Sequence, residues 1–258
     1  MTRVLRCAVE YDGTAFSGFQ RQPDRKTVQG ALESAIKSVT RESVVVVGAG
    51  RTDAGVHATG QVMHFKTESE LSTSTLQRAV NANLPLAVRI HELQEAGPAF
   101  HARFSAQSRE YRYIVENASV PSPLLRLRSF HVRGKLDVEA MDEAACTLLG
   151  RHDFVAFGAP MVHTARNADS CEVAEVKGGT ERTMLDARCW RRARFVFFRF
   201  VADAFLRHMV RMLIGTLLRI GSGSLIKQAL ALILQGDRSV LAGPAVPAHG
   251  LYLVRVRY

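Results

Sequence analysis

The order in which hydrophobic periods change along the N-terminal part of the chain restricts the fold more than any other feature. Apolar residues alternate from Leu5 to Tyr11, which predicts a half-buried strand. They then recur at helical spacing from Val28 to Val39, after Thr27 as a predicted N-cap. Next come strands over 44–47 and 56–66, a helix over 72–83 that stops near Pro85, and a strand through Val88 and Ile90. This β-α-β-β-α-β order predicts a ferredoxin-like unit.

A second set of elements follows in a similar order, although the two halves share no useful sequence identity. A strand over Tyr111–Val115 precedes a helix with Asp137 as its cap and an apolar face from Val138 to Leu149. Further along we predict strands near 171–176, 184–189 and 195–201, helices over 204–220 and 225–234, and a final strand over 251–258. The predicted fold is therefore α+β: two ferredoxin-like units, residues 1–104 and 105–258, forming a largely antiparallel sheet with a central active-site cleft.

The charge balance favours a polyanionic partner. The chain has 34 basic and 24 acidic residues, a formal net charge of +10, and arginine supplies most of the positive charge. The planar arginine fork suits phosphates and base edges better than the point charge of lysine. A basic composition of this size is typical of nucleic-acid-binding proteins, although an arginine bias without any ligand is the alternative.

Cysteine usage and hydropathy predict a soluble cytoplasmic protein. No apolar run approaches the roughly 20 residues of a membrane span, and the first ten residues lack the apolar core of a signal peptide. No Cys-x-x-Cys pair supports a zinc or redox motif, and a disulfide framework is not expected in a chain of this size. The cysteines are widely spaced, at Cys7, Cys146, Cys171 and Cys189.

The segment Gly48–Ala58 carries the clearest chemical signal. A β-branched run leads into it, a second strand-like run leaves it, and Asp53 lies between them, two residues after Arg51. Glycines let a backbone pass close to a bound group, and a neighbouring arginine holds a carboxylate ionised. Such a carboxylate can act as a nucleophile towards a sugar or an electrophilic ring carbon. The alternative is a turn aspartate that bonds its own backbone.

Three other kinds of site fit these residues poorly. A dinucleotide-binding fingerprint needs a small residue where Asp53 stands and a helix where 56–66 predicts a strand. His57 and His64 are seven residues apart on that strand, so they face opposite sides and make a poor metal pair. A Ser-His-Asp triad is unsupported because no serine lies in a nucleophile elbow.

Two further patterns are suited to RNA. Tyr111 and Tyr113 share one strand face near Arg109, so one could stack on a base while the other packs in the core. The predicted helix 204–220 places four residues at i+4 intervals, either as a solvated basic face or as the contact for an anion. A closely packed neighbour would explain the glycine among them. These residues are Arg207, Arg211, Gly215 and Arg219.

Most of the chain resembles the tRNA pseudouridine synthase A family. The resemblance is carried by motifs in the family's order: Tyr11–Thr14, Gly18–Gln22, Thr27–Gly30, Gly50–His57, Asn83–Pro85, Phe100–Ala106, Arg109–Tyr113, Phe205–Arg211 and Pro244–Leu251. Two positions depart from the family. Phe19 stands where tryptophan is usual, and Arg207 stands where another polar residue is common.

The resemblance implies isomerisation of uridine to pseudouridine at positions 38, 39 and 40 of the tRNA anticodon stem-loop, by base flipping and without metal or cofactor. It implies Asp53 as nucleophile, Arg211 as its charge partner, Tyr111 against the target base, and a homodimer in which one tRNA touches both subunits. Further substrate-binding candidates are Arg51, His57, Arg109 and Arg207. A non-catalytic RNA-binding protein would share the charge and the aromatics but would have no use for the aspartate loop.

Overall fold

The computed structural model describes residues 2–158 and 179–258, and the backbone contacts divide the chain into two compact units. The first unit comprises Met1–Glu116, Val120–Val132 and Pro247–Tyr258. The second comprises Asn117–Ser119 and Arg133–Val246. The strand predicted near 171–176 lies outside the described residues.

The described elements are mixed α+β, as predicted. The helices are α1 (Val28–Thr40), α2 (Thr73–Asn83), α3 (Val138–Cys146), α4 (Met209–Gly221) and α5 (Ala229–Leu234). The strands are β1 (Arg3–Tyr11), β2 (Val47–Gly48), β3 (His57–Thr67), β4 (Val88–Ala96), β5 (Ser108–Asn117), β6 (Phe130–Val132), β7 (Gly150–Asp153), β8 (Glu181–Arg192), β9 (Phe195–Ala202) and β10 (Leu251–Arg257).

In the first unit the strands run in the order β4-β1-β3-β10-β5, with β2 also on β3 and β6 on β5. The pairings of β1 with β3 and β4, of β2 with β3 and of β10 with β5 are antiparallel, whereas β10 joins β3 in parallel over two residues. The largely antiparallel sheet is therefore confirmed. Because β10 pairs with both β3 and β5, these strands belong to the first unit, and the two units do not meet at the predicted boundary, 104/105.

The two helices of the first unit begin where the sequence predicts. The Thr27 side chain accepts a hydrogen bond from the Gly30 amide at the start of α1, and the Ser72 side chain accepts one from the Thr75 amide at the start of α2. Each cap satisfies an amide that has no partner within its helix. The helical spacing of apolar residues then places the buried face of α1 inside the unit, through Val28, Leu32, Ala35 and Ile36.

In the second unit β8 pairs antiparallel with β7 and β9, and α3 packs on β8. The Asp137 side chain caps α3 as predicted. However, α3 ends at Cys146, so Leu149 is exposed instead of facing inward. The helix α4 begins at Met209 and not at the predicted 204, because His208 adopts a left-handed backbone conformation with φ 64°. Among the described residues no helix is both long and apolar enough to cross a membrane.

Candidate active site

The loop that carries Asp53 leaves the sheet on one edge of β3. At one end of the loop, Gly48 of β2 pairs with Met63 of β3. At the other end, His57 of β3 pairs with Tyr252 of β10. The other edge of β3 is paired with β1. Residues 49–56 therefore bulge out between two strands that share an edge of β3, which fixes both ends of the loop.

The first part of the loop is tied to β3 by hydrogen bonds. The Ala49 amide donates to the Val62 carbonyl at 2.8 Å. The Gln61 side-chain amide, which is buried, donates to the Gly50 carbonyl at 2.8 Å. Backbone groups of a surface loop are otherwise satisfied by water, so these bonds reduce the freedom of the residues that precede Asp53.

Thr52 anchors the residue next to Asp53 inside the first unit. Its hydroxyl lies 2.8 Å from the Tyr11 hydroxyl, and both side chains are buried. Its carbonyl accepts from the Phe19 amide at 3.0 Å. The loop turns immediately afterwards, where the Val56 amide donates to the Asp53 carbonyl at 3.2 Å. Asp53 is itself half-buried, so a fixed residue holds a partly accessible carboxylate.

Two glycines allow other segments to approach this loop. Gly18 has φ +102°, and a β-carbon there would lie 2.8 Å from the Thr52 carbonyl oxygen. A β-carbon at Gly48 would lie 2.6 Å from the Phe19 ring. The phenylalanine that departs from the family pattern is thus buried beneath the loop. Its contacts indicate that it supports the loop from inside the unit.

Tyr111 lies beside the loop. It stands on β5 opposite Leu253 of β10, and a β-carbon at Gly50 would lie 3.9 Å from its hydroxyl. Burial raises the pKa of Tyr111; the charge of Arg109 lowers it and that of Asp53 raises it, and the net shift is upward. The phenol is therefore protonated at physiological pH.

The second tyrosine of the pair has a structural role. Tyr113 is fully buried, and its hydroxyl donates to the Pro247 carbonyl at 2.7 Å. A β-carbon at Gly250 would lie 2.6 Å from its ring. Tyr113 therefore packs in the core, and Tyr111 is also buried, with 8% of its surface exposed.

Arg109, predicted to bind substrate, donates to the backbone around the loop. One of its terminal nitrogens donates to the carbonyls of Ala49 at 3.1 Å and Arg103 at 2.6 Å. The other donates to the Ala106 carbonyl at 3.2 Å. These bonds join the beginning of the loop to the segment before β5, which favours a role in positioning.

Arg51 is exposed, unlike Arg109. Desolvation of its guanidinium and the positive charge of Arg103 lower the pKa of Arg51. The arginine that precedes Asp53 therefore lies near a second positive charge and is accessible to an anion.

His57, another predicted substrate contact, is buried at the base of the loop. The Gly13 amide donates to its Nδ1 at 3.1 Å, which assigns the proton to Nε2. Nε2 lies 3.0 Å from the Leu127 carbonyl and 3.2 Å from the His249 carbonyl. The ring stacks on Tyr252 with centroids 4.8 Å apart. These contacts favour a structural role for this histidine.

The electrostatics around His57 keep it neutral. Burial lowers its pKa, the charge of Arg128 lowers it further, and the charge of Asp12 opposes them to a smaller extent. Arg128 holds Asp12 through two bonds of 2.9 and 2.6 Å. Burial would raise the pKa of Asp12, but hydrogen bonds from Arg128 and Thr14 hold it well below its usual range. His57, Asp12 and Arg128 help to line a cavity of about 380 Å³.

The four residues predicted to share one helical stripe in the second unit do not all lie on α4. Arg207 is exposed but precedes α4, so it is not part of the helix. Nε of Arg211 donates to the Val246 carbonyl at 2.6 Å, and the Val246 amide donates back to the Arg211 carbonyl at 3.2 Å. A β-carbon at Gly215 would lie 2.0 Å from the Pro244 carbonyl oxygen. The close neighbour predicted for Gly215 is confirmed, and it covers part of the proposed stripe.

Sequence reasoning missed the supports of the loop more than the loop itself. The bond between Tyr11 and Thr52 and the approach of Gly18 join residues far apart in the chain. The only sign of these contacts in the sequence was that the segments around Tyr11 and Gly18 and the Asp53 loop all match motifs of the same family. In the described parts of the chain, no group of three or more His, Cys, Asp or Glu could hold a metal ion.

Known proteins were compared with the chain as a whole. A sequence profile of the family described as tRNA pseudouridine synthase matches residues 7–105 and 144–258. A protein of Chloroflexus aurantiacus named tRNA pseudouridine synthase A is 46% identical over 260 residues, 99% of this chain and 89% of that protein. A protein of the same name from Acetivibrio thermocellus is 41% identical, over 99% of this chain and 100% of its own length.

Among solved structures, a chain from the crystal structure of a Cbf5-Nop10-Gar1 complex matches with a TM-score of 0.31 and 14% identity. The match covers 96% of this chain and 57% of that one. A TM-score of 0.31 is too low to relate the two structures.

Proposed function

This chain belongs to the tRNA pseudouridine synthase family, and we propose that it isomerises uridine to pseudouridine at positions 38, 39 and 40 of the tRNA anticodon stem-loop. Asp53 is the nucleophile, and the target uridine is flipped out of the RNA before it reacts. The observation that carries this proposal is the placement of Asp53. A half-buried carboxylate stands on a loop fixed from both sides, with Tyr111 beside it and Arg51 two residues away.

The reaction breaks the bond between N1 of the base and C1′ of the sugar, turns the base, and joins C5 to C1′. The C5 proton leaves, and N1 is protonated. The two routes for Asp53, attack on C1′ or on the base, both begin with an ionised carboxylate. The base must also be held between the two bond changes. The Tyr111 hydroxyl stays protonated, so the uncharged ring next to the loop is suited to packing against the base.

Flipping a uridine out of a stem costs a few kcal/mol, and contacts with phosphates can offset that cost. Arg51 is exposed for such a contact. Arg207 is exposed in the second unit and is a second candidate. We keep Arg211 as the proposed charge partner of Asp53 on the family resemblance, although its Nε donates to the Val246 carbonyl. We assign Arg109 and His57 to the support of the loop, because their donors are directed at backbone carbonyls.

The wider biology of the chain follows from the same resemblance. We propose that it works as a homodimer in which one tRNA touches both subunits, that it uses no cofactor, and that it acts in the cytoplasm. Sedimentation at working concentration checks the first of these. A dimer is expected, and a species of 28.5 kDa alone would contradict it.

The proposed function is tested with tRNA that carries tritium at uridine C5. Formation of the new C–C bond expels that tritium into water, whereas binding alone releases none. The control transcript has cytidine at positions 38, 39 and 40, with stem partners changed to keep the pairing. Release from the first transcript and none from the control is expected. Equal release from both would contradict the positions, and binding without any release would make the chain a non-catalytic RNA-binding protein.

A further inference from the structure

The segment just before β5 exposes an aromatic ring close to the proposed active site. Phe104 is 54% exposed. Its ring stacks on His101 with centroids 4.3 Å apart and an interplanar angle of 28°. The Arg103 guanidinium lies 5.6 Å from the centroid of the Phe104 ring. An exposed phenylalanine that contacts both a histidine ring and a guanidinium has the groups that bind a planar base.

The backbone beneath this ring is held firmly. Nδ1 of His101 accepts from the amides of Arg103 and Phe104, both at 3.2 Å. The His101 amide donates to the Ser105 hydroxyl at 3.1 Å, and the Ser105 amide donates to the His101 carbonyl at 2.9 Å. This reciprocal set closes a tight turn over residues 101–105. A ring on such a turn loses little conformational freedom when it binds a partner.

The same turn is tied into the sheet of the first unit. The Ala102 amide donates to Nδ1 of His64 on β3 at 3.1 Å, and the Tyr258 hydroxyl donates to the Ala102 carbonyl at 2.8 Å. Arg109 donates to the Arg103 carbonyl and also to Ala49, at the beginning of the Asp53 loop. The exposed ring and the Asp53 loop are thus positioned by the same arginine.

Charge favours an anionic partner for this surface. Arg103 and Arg51 lie near enough for the charge of Arg103 to lower the pKa of Arg51. Two neighbouring positive charges are stabilised by an anion that contacts both. Arg51 is also two residues from Asp53, so an anion at this place would adjoin the reacting uridine. A nucleotide supplies both an aromatic face and a phosphate, whereas an apolar protein surface supplies no anion for the arginine.

We propose that Phe104 and Arg103, on their support His101, form a stacking platform for an unpaired nucleotide adjacent to the target uridine. The base of that nucleotide lies on the Phe104 ring, and its phosphate is contacted by Arg103, whose guanidinium is next to that ring. The platform rests on the proposed function for its substrate, and it adds a contact outside the reacting base. It holds the RNA strand beside the uridine that is flipped towards Asp53.

The test uses an anticodon stem-loop RNA with the fluorescent base 2-aminopurine next to the target uridine. Stacking on an aromatic ring quenches this base. We expect quenching on binding to the unchanged protein, its loss in Phe104→Ala, and its retention in Phe104→Tyr. Phe104→Ala should also weaken RNA binding by about 10- to 100-fold, the range measured for a lost base–aromatic stack.

A matched control lies in the second unit, where Arg194 stands over the Phe195 ring at 5.3 Å from its centroid. Phe195→Ala removes a phenylalanine from a similar pair and should leave affinity and quenching unchanged. Equal losses in the two alanine variants, or a loss in Phe104→Ala matched by a fall in melting temperature, would overturn the platform. The platform would also be overturned if Phe104→Ala quenched 2-aminopurine as the unchanged protein does, or if this variant sedimented differently but bound RNA equally well. Tritium release by the unchanged protein is measured alongside, so that failure of the platform is distinguished from failure of the proposed function.

Discussion

The Asp53 loop and the helix α4 both combine arginines with glycines, but the structure uses the two combinations differently. Around the loop, Gly18 packs close to the Thr52 carbonyl and Gly48 packs close to the Phe19 ring, while Arg51 is exposed. In α4, Gly215 admits the Pro244 carbonyl. Arg211 there donates to the main chain.

The comparison shows that arginines and glycines in the same segment can have two different roles. On α4 a close neighbour packs against Gly215, and Arg211 and Arg219 each direct one donor at a backbone carbonyl. In the loop the close neighbours lie beneath, and Arg51 is exposed to solvent. Both regions contain arginines and glycines. Whether an arginine contacts the main chain or solvent depends on where the neighbouring segment packs.

Apart from Asp53, the largest loss of activity should come from Tyr111. Tyr111→Ala removes the ring beside Asp53 and should lower the rate of tritium release by about 10- to 100-fold, the scale of one aromatic stack on a base. Tyr111→Phe keeps the ring and should lose less than about tenfold. If Tyr111→Ala turns over tRNA normally, the tyrosine belongs to the core, as Tyr113 does.

The glycines provide the next test. Gly215→Ala places a methyl group 2.0 Å from the Pro244 carbonyl oxygen, so the free energy of unfolding should fall by about 1–3 kcal/mol, as for other overpacked sites. Gly50→Ala in the loop meets only ordinary contact, 3.9 Å from the Tyr111 hydroxyl, and should change stability little. Denaturant unfolding of both variants checks this. Equal stability would mean that α4 is not tightly covered.

The arginines should separate in their dependence on salt. Binding of tRNA should weaken steeply with salt, because neutralised phosphates release counterions. Arg51→Ala should weaken binding and reduce the slope of log affinity against log salt by about 1, the effect of one lost phosphate contact. Arg219→Ala should leave that slope unchanged, since Arg219 is directed at the Leu241 carbonyl. The opposite result would return the ligand-binding role to α4.

A smaller effect should appear on mild acidification. Burial lowers the pKa of both His57 and His249, whereas histidine in the unfolded chain titrates near pH 6.5. The unfolded state therefore binds these protons first, and stability is lost as the pH falls below about 6.5. Each unit by which a folded pKa is lowered is worth about 1.4 kcal/mol at most. Asp12 shifts stability only below the ordinary pKa of an aspartate, so it does not contribute here.

This pH effect should be local to the first unit. Hydrogen exchange at pH 7 and pH 5.5, corrected for the intrinsic rate, should show reduced protection in β3 and β10, which flank the two histidines. The amides of β8 and β9 serve as the internal reference. An equal decrease in all four strands would remove His57 from the support of the loop.

The sequence was sufficient for what depends on local pattern. Periodicity and caps such as Thr27 and Asp137 predicted the helices, and the run of glycines around Asp53 predicted a loop between strands. It was insufficient where a distant segment decides the outcome. The arginines of α4 formed a regular pattern, but the chain near Val246 covers it, and His208 delays the start of the helix.

The same limit applies to the candidate site. Arg109 and His57 are residue types that bind substrate in many enzymes, so the sequence could not distinguish that role from support of the backbone. Their partners, the carbonyls of Ala49, Arg103 and Leu127, are brought together only by the folded sheet. The domain boundary has the same origin, because the return of β10 to β3 joins the last residues of the chain to the first unit.

The central claim is that Asp53 reacts with the substrate, and Asp53→Asn tests it most directly. Asparagine keeps the size and the capacity for hydrogen bonds but removes the charge and nearly all nucleophilicity. The matched control is Asp237→Asn, because Asp237 is a turn aspartate whose carboxylate accepts from the Ser239 amide at 2.8 Å. Tritium release, tRNA affinity and thermal melting should be measured on the same preparations. Release should be abolished in Asp53→Asn alone, with binding retained or tightened since a charge near phosphates is lost, whereas unchanged release from Asp53→Asn would contradict the mechanism.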